Sequence, residues 1–292
     1  MMNKYRGIFP ALVTPYKKNG EVNEASLRKI INRNLEEGVT GFYVNGSTSE
    51  TFLLNTEEKK QIIEIVVDET KGRGTVMFHV GSIGTREAIE MAQYGAKVKV
   101  DAISALPPFY YNFSFDEIKG YYQDIMDSTN LPMIVYNIPT YSGVEFSVEQ
   151  FCDLLEDERI IGVKHTSMNL YDLERLQYYS NKFILNGHDE VYLGGLSMGA
   201  VGGIGSTFNI MAKKYIDLQN YFSEGNYEEA FSLQRSVNQV IDVLAKVGVI
   251  QGIKYGLEKM GIECNGCRKP FKDLNGSEKD CLDRVFEENR VL

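Results

Sequence analysis

Lys164 has the most chemistry to offer in this sequence. It interrupts an apolar run, Ile160-Ile161-Gly162-Val163, and lysine is seldom buried unless it is paired or functional. Side chains alternate across a strand, so Lys164 shares a face with Gly162 and Thr166, while Ile161 and Val163 share the other. A free lysine has a pKa of about 10.4 and is almost wholly protonated at neutral pH. Burial penalises the ammonium, lowers that pKa and uncovers a nucleophilic amine. Such an amine condenses with a ketone, and the protonated imine draws electrons from the neighbouring C–C bond. That is lyase or aldolase chemistry with no external cofactor and no metal. The plainer alternative is a lysine ion-paired to an inward carboxylate.

Three further groups of residues fit the same chemistry. Tyr136 ends the strand-like run before that of Lys164, where a phenol is placed to move a proton; a half-buried tyrosine with a satisfied hydroxyl is the plain alternative. Gly46-Ser47-Thr48 offers two hydroxyls and free N–H groups, a nest for a carboxylate. Asp189, Glu190 and Ser206 form a polar rim suited to a polyhydroxylated substrate, although acids at a helix start also serve as ordinary caps.

Two rival chemistries have weaker support. His79, His165 and His188 all fall at strand-like ends, where a metal-dependent aldolase would gather ligands, but His165 should point away from Lys164. Cys264 and Cys267 have C-x-x-C spacing without a second pair, and with Cys152 and Cys281 they read as reduced thiols of a cytoplasmic protein. A non-catalytic barrel that merely binds a keto acid needs neither Lys164 nor Tyr136.

These residues are positioned by one alternation repeated eight times, a short apolar run followed by a segment of helical period. The runs are Gly7–Pro15, Gly41–Asn45, Thr75–Gly81, Val100–Pro107, Pro132–Pro139, Ile160–Thr166, Lys182–Gly187 and Ala200–Ser206. Continuous apolar strands are buried on both faces, as in a parallel sheet covered by helices. Eight such units predict an α/β fold, a (β/α)8 TIM barrel over residues 1–222, with the chemistry at the C-terminal strand ends. A helical extension follows over 223–292. Asn23, Thr56 and Ser147 stand where helix N-caps belong, and Gly38 and Gly72 where helices end. No G-x-G-x-x-G follows the first strand and no phosphate-binding P-loop occurs.

The chain has 292 residues, 31 Lys+Arg against 40 Asp+Glu and a net charge of −9, with 43% hydrophobic and 24% charged residues. This is the composition of a soluble globular protein, and its acidity argues against nucleic acid or an anionic membrane as partner. No window approaches the ~18 apolar residues of a membrane span, and the N-terminus does not read as a signal peptide.

Together these motifs resemble the pyruvate-dependent class I aldolases of the dihydrodipicolinate synthase/N-acetylneuraminate lyase family. The resemblance runs from Gly7-Ile8-Phe9-Pro10-Ala11-Leu12-Val13-Thr14-Pro15 through Gly46-Ser47-Thr48-Ser49-Glu50, Tyr136-Asn137-Ile138-Pro139 and Gly162-Val163-Lys164 to Gly187-His188-Asp189-Glu190 and Gly203-Ile204-Gly205-Ser206-Thr207. Pro107-Pro108-Phe109-Tyr110-Tyr111, the Asp189-Glu190 pair and Cys267-Arg268-Lys269-Pro270-Phe271 resemble the lyase branch. Tyr141 stands where the synthases usually carry an arginine for a second carboxylate. The resemblance implies a homotetramer that cleaves sialic acid to pyruvate and N-acetylmannosamine.

By that resemblance Lys164 is the Schiff-base lysine, Tyr136 the proton shuttle, and Ser47 and Thr48 bind the pyruvyl carboxylate. Thr166, Gly187, Asp189, Glu190 and Ser206 would hold the sugar, and Tyr110 is the aromatic residue presented to a neighbouring subunit's site. Ser49 departs from the family's usual glycine, which predicts backbone strain there. His188 replaces a more usual aromatic, and Tyr141 is bulkier than the expected aliphatic residue. These departures leave another sugar acid, or dihydrodipicolinate synthesis, as alternatives.

Overall fold

Eight short strands rich in Val, Ile, Phe and Ala alternate with amphipathic helices in the computed structural model, which describes residues 2–292. The strands are β1 (Gly7–Pro10), β2 (Gly41–Val44), β3 (Thr75–His79), β4 (Ala102–Ala105), β5 (Met133–Asn137), β6 (Ile160–His165), β7 (Phe183–Asn186) and β8 (Gly202–Gly205). They pair in parallel in the order β1-β8-β7-β6-β5-β4-β3-β2. The ring closes between β1 and β2, where Thr40 N–H donates to Ile8 O (2.9 Å) and Leu12 N–H to Tyr43 O (3.0 Å). The expected (β/α)8 barrel is thus present.

The helices between the strands are α1 (Glu24–Glu37), α2 (Thr56–Thr70), α3 (Thr85–Val98), α4 (Phe115–Asp127), the short α5 (Pro139–Ser142), α6 (Val148–Leu155), α7 (Leu170–Tyr179) and α8 (Tyr192–Ser197). After β8 come α9 (Phe208–Ser223), α10 (Tyr227–Val247), α11 (Val249–Lys259) and α12 (Gly276–Glu288). Leu27, Ile30 and Ile31 of α1 show how these helices pack: a stripe at helical spacing is wholly buried against the strands' outer face.

Several local expectations shift by a residue or more. The first strand ends at Pro10 rather than Pro15, and Ala11 continues only as an isolated bridge to Tyr43. Asn55, not Thr56, caps α2: its side chain accepts from Glu58 N–H while the Glu58 carboxylate accepts from Asn55 N–H. Lys71 rather than Gly72 is that helix's left-handed C-cap (φ 49°), whereas Gly38 ends α1 as expected (φ 96°). Ile161 does not share the outer face with Val163. A register irregularity between β5 and β6 turns it towards the inner cluster, while Ile160 and Val163 stay in the outer layer.

Inside the barrel Phe9, Tyr43, Met77, Ala102, Ile134, Tyr136, Leu185 and Ile204 form one cluster. At its N-terminal end Tyr5 stacks on Phe183 with ring centroids 5.3 Å apart, which plugs the bottom. A cleft opens at the C-terminal ends of the strands, where α10 and α11 lean over the mouth.

Candidate active site

Lys164 points into the barrel from β6, directly opposite Tyr136 in the β5–β6 register. It is 4% exposed, and its Nζ lies over two aromatic faces, 3.9 Å from the Tyr136 ring centre and 4.2 Å from that of Tyr43. No carboxylate pairs with it among the described residues. Burial therefore dominates: it lowers the amine from 10.5 to about 7, with the charge of Asp189 only partly opposing. A substantial fraction of Lys164 is then a neutral nucleophile near neutral pH.

The Tyr136 phenol is also buried and is pushed up to about 12, with the Ser47 and Thr166 hydroxyls pulling the other way. Its oxygen is 3.5 Å from Ser47 Oγ, and its ring meets Tyr43 and His79 edge-on. The Thr166 hydroxyl is buried beside it without a hydrogen bond of normal geometry. Gly187 exists for this packing, since a Cβ there would lie 1.9 Å from Thr166 Oγ1.

Ser47 and Thr48 open the turn that follows β2, behind Gly46, where a Cβ would strike the Tyr43 ring at 2.6 Å. Thr48 Oγ1 and Ser206 Oγ, on β2 and β8 loops, share a 2.6 Å hydrogen bond. Ser49 is not the strained residue the sequence suggests: left-handed backbone falls on Asn45 (φ 58°) and Glu50 (φ 61°) instead. Ser49 is buried, and its hydroxyl donates to Leu12 O at 2.6 Å, anchoring the turn to the β1 side.

Asp189 is buried and raised to about 6 by desolvation, even though Thr207 N–H and Oγ1–H donate to its Oδ2 at 2.8 and 2.7 Å. One of its oxygens thus holds Thr207 at the start of α9, rather than capping its own turn. Glu190 lines the cleft with His188 Nδ1 3.2 Å from its Oε1; burial favours the neutral acid, but His188 and a backbone N–H hold it below the usual carboxylate range.

Lys164, Tyr136, Ser47, Thr48, Thr166, Gly187, Asp189, Glu190 and Ser206 all line one cleft of about 530 Å³. Tyr110 does not. It lies after β4, 82% exposed, with φ 80° and its ring 5.0 Å from Tyr111. The sequence reading missed Tyr43 beneath the amine, weighed His79 only as a metal ligand, and missed Ile241, Ala245 and Gln251 from α10 and α11 on the wall. Tyr43 was accessible through strand alternation; the helical residues carried no signal, because their periodicity marks packing alone. His79 is held near 3 by burial and by Lys164, and His165 near 4 by burial, bonded to Asn137 and Asn169 on the other face. Among the described residues no set of three or more His, Cys, Asp or Glu side chains gathers as metal ligands.

The chain is 42% identical to N-acetylneuraminate lyase 2 of Escherichia coli over 99% of its own length and 97% of that protein's. It is 39% identical to the N-acetylneuraminate lyase of Clostridium perfringens, covering 98% of this chain and 99% of that one. Among solved structures, CdNal from Clostridium difficile, crystallised with mannosamine, superposes with a TM-score of 0.94 at 40% identity over 97% of this chain and 99% of that one. The Ruminococcus gnavus sialic acid aldolase with its catalytic lysine mutated does so at 0.96 and 28% identity, covering 99% and 97%. Residues 4–289 match the family model for dihydrodipicolinate synthetases, and with an aromatic-lined amine at the barrel mouth this chain belongs to the dihydrodipicolinate synthetase family.

Proposed function

We propose that this protein is a carbon–carbon lyase that cleaves N-acetylneuraminate to pyruvate and N-acetylmannosamine through a Schiff base on Lys164. The observation that carries the reading is the Lys164 amine, buried without a carboxylate partner and facing an open cleft. The amine attacks the keto carbon of the open-chain sugar acid, and loss of water leaves a protonated imine. The C3–C4 bond then breaks; its electron pair flows into the imine as an enamine while the C4 hydroxyl loses its proton. Tyr136 is the shuttle for that proton. Its phenol is neutral in the free enzyme, and the iminium cation formed beside its ring favours the phenolate. Protonation of the enamine at C3 and hydrolysis return pyruvate and the free lysine.

Ser47 and Thr48 hold the carboxylate, and Thr166, Gly187, Asp189, Glu190 and Ser206 hold the sugar. Tyr141 supports a polyol over a second carboxylate, since an uncharged phenol stands where an arginine would be needed. The exposed Tyr110 supports a homotetramer in which it completes a neighbour's site, and the cysteine usage a cytoplasmic home. The division into a barrel (1–222) and a helical extension (223–292) belongs to the same reading. Incubation with pyruvate and borohydride tests it: one reduced pyruvate per chain on Lys164 is expected. Unlabelled protein, or label on another lysine, would refute it.

A further inference from the structure

Lys254 lies outside the cleft, on α11, whose first turn walls that cleft through Val249, Ile250 and Gln251. Its Nζ donates to Glu50 Oε1 (2.5 Å) and to Gly266 O (2.8 Å) and sits 4.2 Å from the Tyr16 ring centre. Glu50 Oε2 accepts from Arg268 N–H at 2.7 Å. The two charged side chains are 1% and 0% exposed. A buried ion pair is a poor way to gain stability, because well-packed apolar residues in its place are often neutral or better; its best-attested use is to fix register.

The register at stake is that of the carboxylate turn. Glu50 follows Ser47-Thr48-Ser49 directly and joins two 3₁₀ turns with left-handed backbone (φ 61°), a conformation a glutamate rarely adopts without restraint. Relaxation at that joint to right-handed or extended backbone would rotate the turn that presents Ser47 and Thr48. Ser49, through Leu12, pins one side of the turn, and the Lys254–Glu50 pair pins the other.

We propose that Lys254 and Glu50 are positioning residues, a clamp by which the C-terminal helices hold the Ser47–Thr48 turn in the geometry that receives a keto-acid carboxylate. The inference rests on the functional reading above. The double variant Glu50→Gln/Lys254→Met removes both charges at similar volume, so that neither is left buried alone. It should raise the KM for the sugar acid, and the pyruvate concentration for half-maximal borohydride trapping, by about tenfold or more. Trapping at saturating pyruvate should still label Lys164 fully, with kcat within about threefold of the wild type. A folded double variant with unchanged half-saturation overturns the clamp. Wild-type protein that is not labelled at Lys164 overturns the functional reading itself, and the clamp with it. Should the double variant not fold, the wild type supplies the test, because coupling between two sites is reciprocal. Pyruvate reduced onto Lys164 should then slow amide exchange at Gly266–Arg268 as well as at Ser47–Glu50, and protection confined to Ser47–Glu50 overturns the clamp.

Discussion

At the barrel mouth and at the junction with the C-terminal helices, the fold buries a lysine in two opposite ways. Lys164 has aromatic faces on two sides, open space beside it and, among the described residues, no acid within pairing distance. Lys254 is enclosed, with a carboxylate, a carbonyl and a tyrosine ring around its Nζ. Burial alone therefore does not make a nucleophile. The missing countercharge and the adjoining cavity are what the proposed nucleophile needs, and they separate Lys164 from Lys254.

Removing each lysine should pull the two regions apart. Lys164→Met should abolish imine trapping and cut turnover at least about 10³-fold while keeping the fold. It should also raise Tm. The folded pKa of Lys164, about 7, lies below its ordinary 10.5, so the stability linked to its neutral form is complete above about 10.5 and is lost as pH falls to about 7. At neutral pH the methionine escapes that cost. A lower Tm for this variant, measured by calorimetry at pH 7, would contradict the picture of an uncompensated amine. Tyr136→Phe should spare imine formation but slow C–C cleavage by about 10²–10⁴-fold; near-normal turnover would remove it as the shuttle.

Lys254→Met alone should behave in the reverse sense from Lys164→Met. It strands Glu50 without its cation and should destabilise the fold by about 3–5 kcal/mol, read as an earlier denaturant midpoint. Equal or greater stability would erase the distinction drawn above. The smallest effect is on the pH profile. Because Lys164 must be neutral to attack, kcat/KM should decline below pH ~7, approaching about tenfold per unit at lower pH. A flat profile between pH 5 and 8 would count against rate control by that amine.

The difference between the regions also decides how much was legible in the sequence. Lys164 stood out because it breaks an apolar strand, and alternation placed it inward without any coordinates. The eight β/α units were legible for the same reason, a change of period from strand to helix repeated along the chain. Lys254 was invisible: it lies in a helix, where a lysine reads as surface, and its partner is 204 residues away in sequence. Strain was assigned to Ser49 when Asn45 and Glu50 carry it, since residue type shows where glycine is missed and not where the chain turns. The Ile161 error has a similar origin, because a register irregularity breaks the alternation on which the argument relied. Tyr110 was named by resemblance alone, and within its own chain it stands exposed, away from the cleft.

The proposed chemistry turns on the proton affinity of one side chain. The first-order rate of imine formation with pyruvate, trapped by cyanoborohydride and followed against pH, reports it most directly. A rise with a midpoint near pH 7 at Lys164 is predicted. A midpoint near 10.5, that of an ordinary solvated lysine, would show that the barrel does not activate this amine.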